Sequence, residues 1–150
     1  MNSLKLYIFI LLTTCVFFGC ASSSGRSVLP VELSDYTFTM YNTKSEPVAK
    51  GVMTVKNIIS TGTDKATISG TYTVSDWYQD FAGKSSMMGD FSGDFDYTTN
   101  KIYINTNPRI ADANVFFNLT MYSSFYEGEW RYSTFRGPTD GGRLKVVPKR

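Results

Sequence analysis

The sequence predicts an all-β protein: an eight-stranded antiparallel up-and-down meander closed into a barrel, following a signal peptide and a short linker. Three observations predict it. Apolar and polar residues alternate with period two in eight successive segments, as in half-buried strands. Turn-forming residues separate those segments at short spacing. No helical heptad and no doubly wound pattern is present. The stretch Gly89-Asp-Phe-Ser-Gly-Asp-Phe-Asp-Tyr97 shows the pattern most clearly. Phe91, Gly93, Phe95 and Tyr97 share one face, and Asp90, Ser92, Asp94 and Asp96 share the other. Glycine two residues before an aromatic recurs at Gly70/Tyr72, Gly89/Phe91, Gly93/Phe95 and Gly128/Trp130.

Strand one is expected over 35–42, with Tyr36, Phe38 and Met40 inward, and Lys44-Ser45-Glu46-Pro47 turns the chain. Strand two covers 48–59, with Gly51, Met53 and Val55 inward. Strand three covers 65–75, where Ala66, Ile68, Gly70, Tyr72 and Val74 alternate with threonines and serine. Strand four is the stretch from Gly89, and Thr98-Thr99-Asn100 leads into strand five, 101–106, with Ile102 and Ile104 inward. Strand six, 113–122, directs Val115, Phe117, Leu119 and Met121 inward. Strand seven, 125–134, does the same with Tyr126, Gly128, Trp130 and Tyr132. Residues 137–142, rich in glycine, read as a turn before strand eight, 143–147.

An open sheet of this regularity would leave two unpaired edges and one bare apolar face, and closure removes both. The glycines at 51, 70, 89 and 93 are then expected where a small barrel bends sharply. The meander is interrupted only at 76–88, where Ser75 or Asp76 could cap one or two helical turns. Trp77, Phe81, Met87 and Met88 in this segment would lie at a barrel mouth, either as a plug or as a lid over a ligand cavity.

At the N-terminus, Lys5 precedes an apolar run from Leu6 to Phe18 that is broken only by Thr13 and Thr14 and ends at Gly19-Cys20. This is the pattern of a secretory signal, and the run is shorter than the ~20 residues of a membrane-spanning helix. The ending Phe17-Phe18-Gly19-Cys20 resembles a bacterial lipobox, matching at Gly19 and Cys20 and departing at Phe17 and Phe18. The resemblance implies a lipoprotein signal peptide over 1–19 and acylation of Cys20 (palmitate among the chains). A flexible tether would follow over 20–33, and the barrel domain over 34–150. Ala21 after the cysteine implies sorting to the outer membrane, facing the periplasm. An ordinary signal cut near Ala21 would instead leave a soluble secreted protein.

Composition narrows the function. Removing 1–19 from 150 residues leaves 131, enough for one domain. With Lys5 gone from 15 Lys+Arg, 14 cations face 13 Asp+Glu, and no basic stripe suggests nucleic acid. Histidine is absent, which removes the commonest general base and metal ligand, so an enzyme is not expected. No metal and no other cofactor is expected. Asp90, Asp94 and Asp96 lie on a wet face without a calcium-loop glycine, Glu127 and Glu129 point outward, and Ser133-Thr134 has no histidine partner.

The eight-strand meander with an apolar interior looks like the calycin-type barrels: lipocalins, fatty-acid-binding proteins and avidins. The likeness covers 35–147 and is one of layout; the lipocalin Gly-x-Trp of the first strand is missing, and Gly128-Glu129-Trp130 sits on strand seven. No ligand-contacting residue is carried over from it. The alternating strands and aromatic interior themselves point to a barrel that binds a small apolar or amphipathic molecule through Tyr36, Phe38, Tyr72, Trp77, Phe81, Phe91, Phe95, Phe117, Trp130 and Tyr132. The number of large rings argues for a filled interior, and the tyrosine hydroxyls leave room for a small guest. The alternative is a solid barrel serving as a protein-interaction, inhibitor or envelope-assembly module. Tyr41, Tyr103, Phe116 and Tyr122 would then form one exposed patch. The expected partners are the bilayer through Cys20, an apolar ligand, and an envelope protein.

Overall fold

The computed structural model describes residues 31–87 and 89–149. Residues 1–30, which carry the expected signal peptide, Cys20 and most of the tether, lie outside the described residues, as do Met88 and Arg150. The described chain is a closed barrel in which every strand pairs with its sequence neighbours and the last pairs with the first. The strands are β1 (Asp35–Asn42), β2 (Pro47–Ser60), β3 (Lys65–Trp77), β4 (Gly89–Asp96), β5 (Lys101–Asn105), β6 (Asn114–Tyr122), β7 (Phe125–Thr134) and β8 (Gly137–Pro148). All eight pairings are antiparallel.

Alternation decides which side chains fill the barrel. Phe38, Met40, Val115, Phe117 and Leu144 are fully buried, and Trp130, Ile68, Phe91 and Phe95 nearly so. Their neighbours along each strand are the threonines, lysines and carboxylates of the outer face. Burying a side chain of this size contributes roughly 1.5–3 kcal/mol. With nine such groups around one axis, the barrel needs no crosslink.

Glycine and aromatic also meet across neighbouring strands. Phe38 lies directly across from Gly51, and Phe91 directly across from Gly70. A Cβ at Gly51 would come within 2.5 Å of the Phe38 ring, and one at Gly70 within 2.9 Å of the Phe91 ring. Each glycine leaves the space its opposite aromatic fills, so large rings fit inside a narrow barrel.

Three segments differ from expectation. β8 begins at Gly137, six residues ahead of the expected start, because the chain turns at Phe135-Arg136 and Gly137 takes the left-handed φ of 99°. The glycine-rich stretch 137–142 is therefore extended and pairs with β7; the Tyr41 carbonyl occupies the place where a Cβ of Gly142 would sit. β3 runs on to Trp77, so Ser75 and Asp76 are strand residues and cap nothing. The Ser75 hydroxyl instead donates to the Lys50 carbonyl on β2 at 3.2 Å. The segment after it contains a single 3₁₀ turn, Lys84–Ser86, without a side-chain cap.

Packing also begins earlier than residue 34. Val31 is buried and enters the core. The Tyr36 hydroxyl accepts from the Glu32 amide at 2.9 Å and donates to the Glu32 carbonyl at 3.1 Å, clamping a short strap across that end of the barrel.

Candidate functional site

Two ends define the molecule. One carries the strap 31–34, the β2–β3, β4–β5 and β6–β7 turns, and the end of β8. The other carries the β1–β2 turn, the segment 78–87, the loop 106–113 and the Phe135-Arg136 turn.

The ten residues expected to face a ligand are brought together, but chiefly with one another. Phe38 meets Tyr72 and Phe117 at ring separations of 6.4 and 6.0 Å. Tyr36 meets Tyr126 edge-on at 5.9 Å. Phe91 and Phe95 are buried in the same core. At the far end, Phe81 packs on Trp77 at 5.9 Å, on Trp130 at 5.1 Å and on Tyr132 at 6.5 Å. Such offset and edge-on geometries suit ring quadrupoles and contribute beyond area burial. With Met87 buried beneath, the segment 78–87 plugs that mouth.

The remaining interior space is small. A cavity of about 30 Å³ lies near the strap, lined only by apolar residues and tyrosines, among them Val31, Tyr36, Met53, Phe91 and Tyr126. That volume would hold a single water, and its apolar lining gives one little to bind. Pockets for organic ligands run to ~300–1,000 Å³. The large rings occupy the interior, as their number and size suggested. A larger cleft, about 490 Å³, lies between the end of β3 and the plug, lined by Tyr72, Val74, Trp77, Lys84 and Met87 among others. The Lys84 ammonium sits 5.2 Å from the Trp77 ring centre and pairs with Asp80 at 2.6 Å. That hydrogen bond and charge hold the Asp80 carboxyl below its ordinary range.

Polar groups inside are matched to nearby backbone, apart from the side-chain oxygen of Asn114, which is buried without a hydrogen-bond partner among the described residues. The Tyr72 hydroxyl donates to the Thr106 carbonyl at 3.1 Å. Burial, only partly opposed by its hydrogen bond with Thr106, pushes the phenol up to about 12. Tyr126 is raised as well, chiefly by burial and further by the adjacent Tyr36. The Asn114 amide nitrogen donates to the Ile110 carbonyl at 2.6 Å.

The acidic residues serve the surface. Asp90 pairs with Arg109 at 2.5 Å, and Asp94 accepts from Thr67 at 3.4 Å. Asp96 accepts from the Thr98 hydroxyl and the Thr98 and Thr99 amides, which hold it down to about 2 and shape the β4–β5 turn. Glu129 pairs with Arg131 and Glu127 with Arg143. Among the described residues no group of three or more metal-binding side chains gathers.

The outer aromatics do not form the single patch expected of them. Tyr103 stacks on Phe116 at 5.6 Å. Tyr41 lies under the Arg143 guanidinium at 4.9 Å, separated from Tyr103 around the barrel by Asn118 and Glu129. Tyr122 stacks on Phe125 at 5.2 Å at the strap end. Phe135, 83% exposed at the tip of the β7–β8 turn, is the most exposed large apolar side chain among the described residues. Its amide donates to the Asp112 carboxylate at 2.7 Å, which ties the turn to the loop 106–113. Sequence reasoning passed over Phe135 because the turn was expected at 137–142, and over Val31 because it was assigned to the tether.

Compared with protein-family models, with curated proteins and with solved structures, the chain matches none.

Proposed function

We propose that this protein is a non-enzymatic lipoprotein, held on the outer membrane through acylated Cys20, whose solid barrel presents its plugged end to an envelope protein. The single observation that carries the choice between solid and hollow is the interior cavity of about 30 Å³. The same ring-on-ring packing makes the barrel a rigid platform. Rigid elements carrying an exposed aromatic suit recognition, because little freedom is lost on contact. Phe135, with Tyr78 and Ile110 on the neighbouring loops, supplies exposed apolar side chains at that end. The lipid attachment rests on Gly19-Cys20 and the apolar run before it.

The test is site-specific photo-crosslinking from position 110, on the loop beside Phe135, in the native host, with Cys20→Ser and Phe135→Asp alongside. The proposal expects a discrete cross-linked protein that Phe135→Asp removes without changing the thermal melt. It expects Cys20→Ser to release the protein from the membrane fraction. A co-purifying small molecule seen by native mass spectrometry, with no cross-link, would overturn it.

A second reading, capture of a small apolar or amphipathic molecule, is favoured by the cleft of about 490 Å³ beside the plug. That cleft holds Tyr72 and Trp77, two of the residues expected to touch a ligand. On this reading the guest lies against the plug, with the segment 76–88 as its lid. Trp77→Ala should then release it, while Phe38→Leu in the closed interior should not.

A further inference from the structure

We infer that the strap end of the barrel rests on the bilayer, seated by apolar side chains around its rim. This rests on the tethered reading above and adds an orientation to it. Among the described residues, four of the eight exposed large apolar side chains sit around this one end: Leu33 (65% exposed) before β1, Ile59 (63%) near the end of β2, Tyr122 (50%) closing β6, and Val147 (40%) near the end of β8. Tyr122 is extended by its stack on Phe125, over whose ring the Lys145 ammonium lies at 5.0 Å. Tyrosine and lysine beside aliphatic groups are the residue types that combine an apolar body with a wet tip, and they suit the boundary between headgroups and acyl chains.

The occupant follows from where the chain enters. Val31 is buried at this end, and Cys20 lies eleven residues before it, a reach of roughly 40 Å at most if fully extended. A barrel held that closely meets the bilayer continually; the strap clamp sets where the tether joins it, and the apolar rim seats that end. Among the described residues the charges nearby are balanced: Lys56, Lys65, Lys101, Lys145 and Lys149 against Glu32, Asp35, Asp64, Asp96 and Glu127. Seating is therefore driven by apolar burial and does not need anionic lipid. The opposite end, with Phe135, then faces away from the membrane.

The experiment uses the acylated mature chain in nanodiscs of phosphatidylcholine. Ser123→Cys in the β6–β7 turn or Arg136→Cys at the far turn carries a fluorophore, and nitroxide-labelled headgroups act as quencher. Once Cys15 is removed with the signal and Cys20 is acylated, the introduced thiol is the only free one. We expect quenching at 123 to exceed that at 136 several-fold and to be insensitive to salt. Leu33→Ser, Ile59→Ser and Tyr122→Ser together should bring the two positions level, with circular dichroism verifying that the barrel still folds. Equal quenching in the parent chain while it stays on the disc, or a triple variant that changes nothing, overturns the orientation alone. A chain that does not stay with the disc overturns the tethered reading, and the orientation with it.

Discussion

The indole Nε1 of Trp130 on β7 donates a 2.8 Å hydrogen bond to the backbone carbonyl of Tyr41 on β1, two strands away around the wall. The bond reaches past β8, which lies between them, so one buried side chain ties together both flanks of the closing strand. Trp130→Phe keeps most of the ring and removes the donor. It should lower stability by about 2–4 kcal/mol, combining lost volume with an unmet carbonyl. Urea unfolding followed by circular dichroism should show a lower midpoint at an unchanged slope.

Gly70→Ala should be costly in a way that trimming its neighbour does not relieve. The new Cβ would strike both the Phe91 ring and the Thr54 carbonyl oxygen. We expect a loss of about 2–3 kcal/mol, of the size seen when a close-packed core is overfilled. Phe91→Leu on top of it should restore nothing, because the carbonyl remains in place. Recovery in the double variant would show that the ring alone sets the spacing.

Tyr36→Phe removes both hydrogen bonds to Glu32 while leaving the ring in its packing against Tyr126. The expected loss is about 1–2 kcal/mol in global stability. Amide exchange at Glu32 should accelerate, with protection at Phe117 in the barrel wall less affected. Equal acceleration at both sites would mean that the strap opens only when the whole barrel does.

At high pH the barrel should weaken through its buried phenols. The Tyr72 hydroxyl titrates at about 12 when folded, against an ordinary value of 10.0, so the folded state holds its proton longer than the unfolded one. The stabilisation is complete below pH 10 and is lost as pH rises toward 12. Tyr72→Phe should flatten that part of the stability curve, leaving the share from Tyr126, which is raised in the same direction. Ultraviolet titration of the parent should reveal phenols that ionise late.

Period-two alternation made the barrel legible, since a one-residue slip would turn every inward ring to water. The register pairs Phe38 with Gly51 and Phe91 with Gly70, cross-strand pairs that the spacing of glycine and aromatic along a single strand does not reveal. What could not be read was local geometry that depends on a distant neighbour. Gly137 to Gly142 has the composition of a turn, and only the Tyr41 carbonyl pressing on Gly142 explains why glycine is needed in a strand. Val31 looks like linker because its burial depends on a tyrosine hydroxyl five positions later. The interior residues were legible as inward-facing. Whether they left a hollow depended on how closely Phe81 meets Trp130 and Phe38 meets Phe117, which alternation alone does not encode.

Every other joint in the wall is a hairpin or connects strands adjacent in sequence, but the joint between β1 and β8 brings residue 36 against residue 148. Joining distant parts of a chain is slow, because the loop must close before any contact rewards it. A polypeptide still being synthesised therefore cannot complete this cylinder until β8 has arrived. Until then β1 offers an uncovered strand edge to whatever is nearby, so a truncation that removes β8 should aggregate rather than settle into a smaller sheet.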